Sequence, residues 1–180
     1  MAEKYDIRPG QSVELLKELH ILTRDGKLNQ DSRRKLKQVY HLYNFIEPLL
    51  QELKQSKSIP LDKAAEARTK GAGSTSSTTS PEDKASAGLG SGISLVDHGA
   101  GKSYLGFILY DLFFKSLADQ SQIYGIETRE ELVQRSTALA QRPGFAGMSF
   151  LNLSVAESTQ SRQLPAQVDS VTALHAWDTA

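Results

Sequence analysis

The chain has 180 residues, 21 basic and 21 acidic side chains, and no cysteine. That composition excludes disulfides, cysteine-based zinc sites and thiol catalysis within this chain, and it fits a reducing, cytoplasmic setting. Charge is unevenly spread, with 15 Lys and Arg against 12 Asp and Glu up to Ile93 and 6 against 9 beyond it. Neither excess is large enough to demand a nucleic-acid or membrane partner.

The opening Met1-Ala2-Glu3-Lys4-Tyr5-Asp6 is polar and does not read as a secretory signal. Residues 12–54 carry a helical pattern. Ser12 is placed to cap a first helix bearing Val13, Leu15, Leu16, Leu19 and Leu22, and Asp25-Gly26 makes a turn. A second helix is expected to start near Asp31. It sets Leu36, Val39, Tyr40, Tyr43, Ile46, Leu50 and Leu53 on one stripe at three/four spacing, with a kink or a new turn at Pro48. Its first turns bear Arg33, Arg34, Lys35 and Lys37, which read either as a solvated face or as a phosphate-contacting patch.

Residues 55–92 read as a flexible linker. From Gly71 to Gly90, twelve of twenty residues are Gly, Ser or Thr, too little apolar surface to offset chain entropy.

Beyond the linker, strand and helix signals alternate. Ile93–Val96 is an apolar strand. Asp97-His98-Gly99-Ala100-Gly101 follows, and a strongly apolar helix is predicted from Ser103 to about Ala118. Its greasiest part, Leu105–Phe114, spans ten residues and contains Asp111. A membrane span needs about 20 apolar residues, so this is a buried helix. Gln122–Ile126 is a second strand. Thr128-Arg129-Glu130-Glu131 has the form of a capping box opening a helix that buries Leu132, Val133, Leu139 and Ala140, ended by Pro143-Gly144. Met148–Leu153 and Val168–Leu174 are further strands. The pattern predicts an α/β fold: a Rossmann-like parallel sheet of about four strands behind an N-terminal helical segment, with domain bounds 1–54, 55–92 and 93–180.

Three nucleotide loops compete for the glycines. A dinucleotide fingerprint G-x-G-x-x-G fits Gly99 and Gly101 but meets Tyr104 at its third glycine. A phosphate-binding G-x-x-x-x-G-K-[ST] loop finds Gly101-Lys102-Ser103 but needs a glycine where Val96 stands. The third candidate is an acid, any residue, then Gly-x-Gly after the first strand, which Asp97-His98-Gly99-Ala100-Gly101 satisfies. Glu127 then ends the second strand, 30 residues after Asp97. A carboxylate at a strand's carboxyl end has two acceptor oxygens and can bind a vicinal diol.

On these residues the chain resembles the class I S-adenosylmethionine-dependent methyltransferases. Gly99-Ala100-Gly101-Lys102-Ser103-Tyr104-Leu105 and Ala173-Leu174-His175-Ala176-Trp177-Asp178-Thr179-Ala180 resemble the group related to tRNA methyltransferases and methyltransferase-like 25 proteins. The resemblance covers 93–180 well and 30–54 loosely. It implies S-adenosyl-L-methionine as cofactor, held by Asp97, Gly99, Ala100, Gly101 and Glu127. It also implies RNA as acceptor and His175 and Asp178 at the reacting end. Ser103 stands where the group often has glycine, and Trp177 where cysteine is usual. Ser154 and Val155 follow the third strand where many relatives carry an acid for the adenine amino group. Asn152 or Ser154 would substitute there.

The four histidines share no metal-ligand spacing, and no metal is expected. A full sheet of the family has seven strands, so a four-stranded chain reads as a fragment or a truncated gene product, expected to bind cofactor weakly, if at all, and to turn nothing over alone. Two other functions compete. One is a non-catalytic half-domain that docks a partner through its unpaired edge and basic helix. The other is a P-loop-like nucleotide-binding protein using Gly101-Lys102-Ser103.

Overall fold

A computed structural model of the chain describes residues 7–57, 92–117, 120–142 and 144–173. The expected linker lies outside them apart from its ends, and His175 and Asp178 lie outside them altogether.

The N-terminal segment forms two helices. In α1 (Val13–Glu18) the Ser12 hydroxyl accepts from the Leu15 N–H at 3.2 Å, the cap its sequence foretold. Leu19 and Leu22 fall beyond the helix end yet stay buried, because the chain turns at His20 in a left-handed conformation. The second helix, α2 (Gln30–Lys57), starts behind Asn29, whose side chain accepts from the Ser32 N–H at 2.7 Å. It runs straight through the position of Pro48 and three residues past the expected bound at 54. Proline deprives the carbonyl four residues back of its partner, and Asn44, which carries it, is exposed to water.

The remaining elements are β1 (Ser94–His98), α3 (Tyr104–Leu112), a 3-10 turn (Phe114–Ser116), β2 (Gln122–Glu127), α4 (Glu130–Ala140), β3 (Met148–Asn152), α5 (Val155–Ser158) and β4 (Ser170–Ala173). The four strands make one sheet in the order β3-β2-β1-β4, and every pair is parallel. The fold is the expected partial Rossmann-like α/β sheet behind a helical segment. From β1 the chain grows outward to β2 and β3, then returns to the other side of β1. A cavity opens beyond the carboxyl ends of β1 and β2.

Several bounds move. β1 runs two residues past Val96, so Asp97 sits inside the strand, opposite Gly125 and Thr172. The apolar helix stops at Leu112 rather than near Ala118, because Phe113 leaves the helical region at φ −125° and a tighter turn follows. β4 begins at Ser170, not Val168.

One apolar core joins the helical segment to the sheet. It contains Leu15, Leu16, Leu36 and Leu50 from the front of the chain and Leu95, Phe107, Ile108 and Ile123 from the back. The Phe107 ring packs 5.5 Å from Phe150 and 5.8 Å edge-on from Phe145. Gly125 is required beneath Phe150, since a Cβ there would stand 2.5 Å from the ring. A polar tie reinforces the join: the Ser12 N–H donates to Asp111 of α3 at 2.7 Å. Among the described residues no helix is long and apolar enough to cross a membrane.

Because Leu16 is fully buried in this shared core, Leu16→Ala should cost about 2–5 kcal/mol. Urea unfolding should show one transition, read alike by helix circular dichroism and by the backbone amide NMR signals of the strands. Loss of the helices with the sheet signal unchanged would contradict a single core.

Candidate functional site

The site is built at the carboxyl edge of β1 and β2. β1 delivers Asp97, which is 3% exposed. Its Oδ1 accepts a hydrogen bond from the Thr172 hydroxyl on β4 at 2.7 Å. Burial penalises the charged form and pushes the carboxyl up to about 6, against the smaller opposite effect of the Thr172 bond. After β1 the chain bends through Gly99 and Gly101, at φ +65° and +56°. Glycine adopts this left-handed region without steric cost. Ser103 is held there too, at φ +52°, where the resembling group often has glycine.

Glu127, the last residue of β2, is 7% exposed and faces this bend. Its Oε2 accepts the Gly101 N–H at 2.8 Å. Its Oε1 accepts the Arg129 backbone N–H at 3.0 Å and Arg129 Nε at 3.1 Å, while Arg129 Nη2 reaches Oε2 at 3.3 Å. Burial pushes this carboxyl upward. The hydrogen bonds from Arg129 and Gly101, together with the guanidinium charge, outweigh it and bring the group to about 2. Two carboxylates at one sheet edge are thus set apart: one holds its proton more readily than usual, the other is firmly ionised.

The capping box expected at Thr128 does not form. Arg129 is the N-cap of α4 and has no side-chain cap bond. Glu127 has taken the Arg129 N–H, and the Thr128 hydroxyl points back to the same carboxylate at 3.4 Å. A full capping box forms elsewhere, between Ser154 and Glu157 at the start of α5.

A cavity of about 390 Å³ lies between these parts. Asp97, Gly99, Ala100, Gly101, Glu127 and Val155, all singled out in the sequence, line it. Ile126, Leu105 and Leu153 add apolar wall, and Lys102, Tyr104, Thr128 and Arg129 complete it. Ser154 is not in the wall. Its hydroxyl is committed to the Glu157 N–H, 3.2 Å away, and Asn152 Nδ2 is spent on the carbonyls of Glu127 and Thr128 at 3.0 and 2.8 Å. Val96, where a phosphate loop needs its first glycine, is buried in β1 between Tyr124 and Val171.

The sequence matches the model of a methyltransferase domain over residues 82–180. The chain belongs to the methyltransferase-domain family. Neither the curated proteins nor the solved structures gave a match. The family match spans the whole sheet and both carboxylates, so methyl transfer is the function this domain serves. Two features of its site escaped the sequence reading. Thr172 lies 75 residues from Asp97 and carries no local signal. Arg129 was visible only as a residue inside a misread cap.

Asp97 holds its proton in the folded state between about pH 4 and pH 6, where the unfolded carboxyl has lost it, so its ionisation lowers stability as pH rises through that window. Asp97→Asn keeps the acceptor for Thr172 and cannot ionise. Its stability relative to wild type should rise from pH 4 to pH 7 by on the order of 2 kcal/mol in urea titrations. A constant difference across that range would contradict the buried-acid geometry.

Proposed function

We propose that this domain is a class I methyltransferase using S-adenosyl-L-methionine, of the group related to tRNA methyltransferases and methyltransferase-like 25 proteins, with RNA as acceptor. The observation that carries the reading is the joining of the glycine bend to the acid of β2, through the Gly101 N–H and Glu127, on one cavity that Asp97 also lines.

The donor set fits this cofactor. It brings an ammonium group and a ribose diol, both hydrogen-bond donors, and the cavity offers two carboxylates. The bend, with no Cβ at Gly99 or Gly101, lets backbone approach a ligand closely. The apolar wall of Ile126, Leu153 and Val155 suits an adenine face. A triphosphate would meet the same two carboxylates as like charges, which weighs against the nucleotide-hydrolysing alternative.

In this reading Glu127 takes the ribose hydroxyls, Asp97 steadies the bend and the ammonium group, and Val155 flanks the base. When bound, the cofactor supplies an electrophilic methyl on a sulfonium. The chain's own contribution is position: methyl transfer needs an in-line approach more than acid–base help. His175 and Asp178, by resemblance, stand at the reacting end, where His175 would orient or deprotonate the acceptor. The exposed Arg33 and Arg34 of α2 supply charge for RNA phosphates, whereas Lys35 is engaged with Asp31 at 2.8 Å.

Ligand-observed NMR with S-adenosylhomocysteine on the full chain tests this. Glu127→Ala should weaken binding at least about tenfold, a loss of about 1.4 kcal/mol, with circular dichroism unchanged. Lys102→Ala should leave it within about twofold, the size of an exposed-charge effect. The reverse pattern, or ATP displacing the ligand, would favour the phosphate-loop alternative. Affinity should also rise from about pH 5 to about pH 7 as Asp97 ionises, and Asp97→Asn should flatten that rise.

A further inference from the structure

The acceptor positions of Glu127 are fully taken. A carboxylate offers about four lone-pair sites. Glu127 Oε1 receives the Arg129 N–H, Arg129 Nε and the Thr128 hydroxyl, and Oε2 receives the Gly101 N–H and Arg129 Nη2. These donors are of two kinds. The Gly101 and Arg129 backbone N–H groups belong to the bend and to the start of α4, so the fold fixes them. The guanidinium sits on a long side chain that is 47% exposed, and the carboxylate it covers is 7% exposed. Its Nη2 lies 3.7 Å from where a Cβ of Gly101 would stand, over the bend itself.

We propose that the Arg129 guanidinium is a displaceable occupant of the diol site, and that cofactor affinity is set by this exchange. The inference rests on the methyl-donor reading of the site. A vicinal diol brings two O–H donors, one for each carboxylate oxygen. They replace Nε and Nη2 one for one, while the backbone donors stay and keep the carboxylate aligned and ionised. The released guanidinium turns outward into water, which its present exposure allows. A ligand with only one hydroxyl gives back one bond for the two lost when the guanidinium leaves, so a buried acceptor stays unpaired and the exchange selects for the intact diol.

The test is S-adenosylhomocysteine binding to the full chain, followed by ligand-observed NMR, in wild type, Arg129→Ala, Glu127→Gln and the double variant. Removing the competitor should tighten binding about three- to fivefold, the scale of a half-exposed ion pair. The gain should vanish in the Glu127→Gln background, where there is no carboxylate to compete for. The Glu127 carboxyl resonance in ¹³C spectra should titrate at higher pH in Arg129→Ala, independently of any ligand. Binding to Arg129→Ala that is equal or weaker, with Glu127→Gln still impaired, would overturn the exchange and leave the cofactor reading intact. If neither wild type nor Arg129→Ala binds the ligand, the cofactor reading falls and this inference with it.

Discussion

The hydrogen bond from the Gly101 N–H to Glu127 joins the two halves of the site. One partner is a backbone donor in a bend that glycine alone adopts comfortably; the other is a carboxylate at the end of the neighbouring strand. Each needs the other. The N–H points out of a left-handed turn, away from any ladder partner, and the carboxylate is too buried to stay charged without donors. Parallel pairing of β1 with β2 in the observed register sets Asp97 beside Gly125, and so leaves Glu127 two residues further on, beside the bend. Sheet register and site geometry are one constraint.

The helices hold that edge in place. α3 begins where the bend ends, and its apolar side lies in a core shared with α1 and α2. Asp111 near the end of α3 accepts the Ser12 N–H ahead of α1, and Lys57 at the end of α2 binds Asp169 just before β4 at 2.8 Å. Asp169 in turn accepts from Ser94 at the start of β1 at 2.8 Å. The end of α2 thus adds a tie at the junction of β1 and β4, whose parallel pairing sets Thr172 against Asp97.

Much of this was legible in the residues. The apolar runs around Leu95, Ile123 and Phe150 are short and bounded by turn residues, so strands were readable, and the three/four stripe from Leu36 to Leu50 gave α2. Glu127 was found through the resemblance, since the family it points to carries an acid at the end of its second strand and Glu127 stands there. Local signals failed where a side chain found another partner, near or far. Thr128 has the spacing of a cap, but its hydroxyl turns back to Glu127 and the helix starts one residue later, behind Arg129. Ser154 and Glu157 have that same spacing, and there the cap forms. Burial of Asp97 by β4 could not be read at all, since the pairing spans 75 residues.

Backbone amide spectra of the full chain, recorded while S-adenosylhomocysteine is added, test the central claim most directly. The account predicts that Gly99, Gly101, Glu127 and Arg129 shift together along one saturation curve, because bend and carboxylate form a single binding edge. Shifts confined to Lys102 and Ser103, or scattered over the outer face of α2 with the bend unmoved, would contradict it.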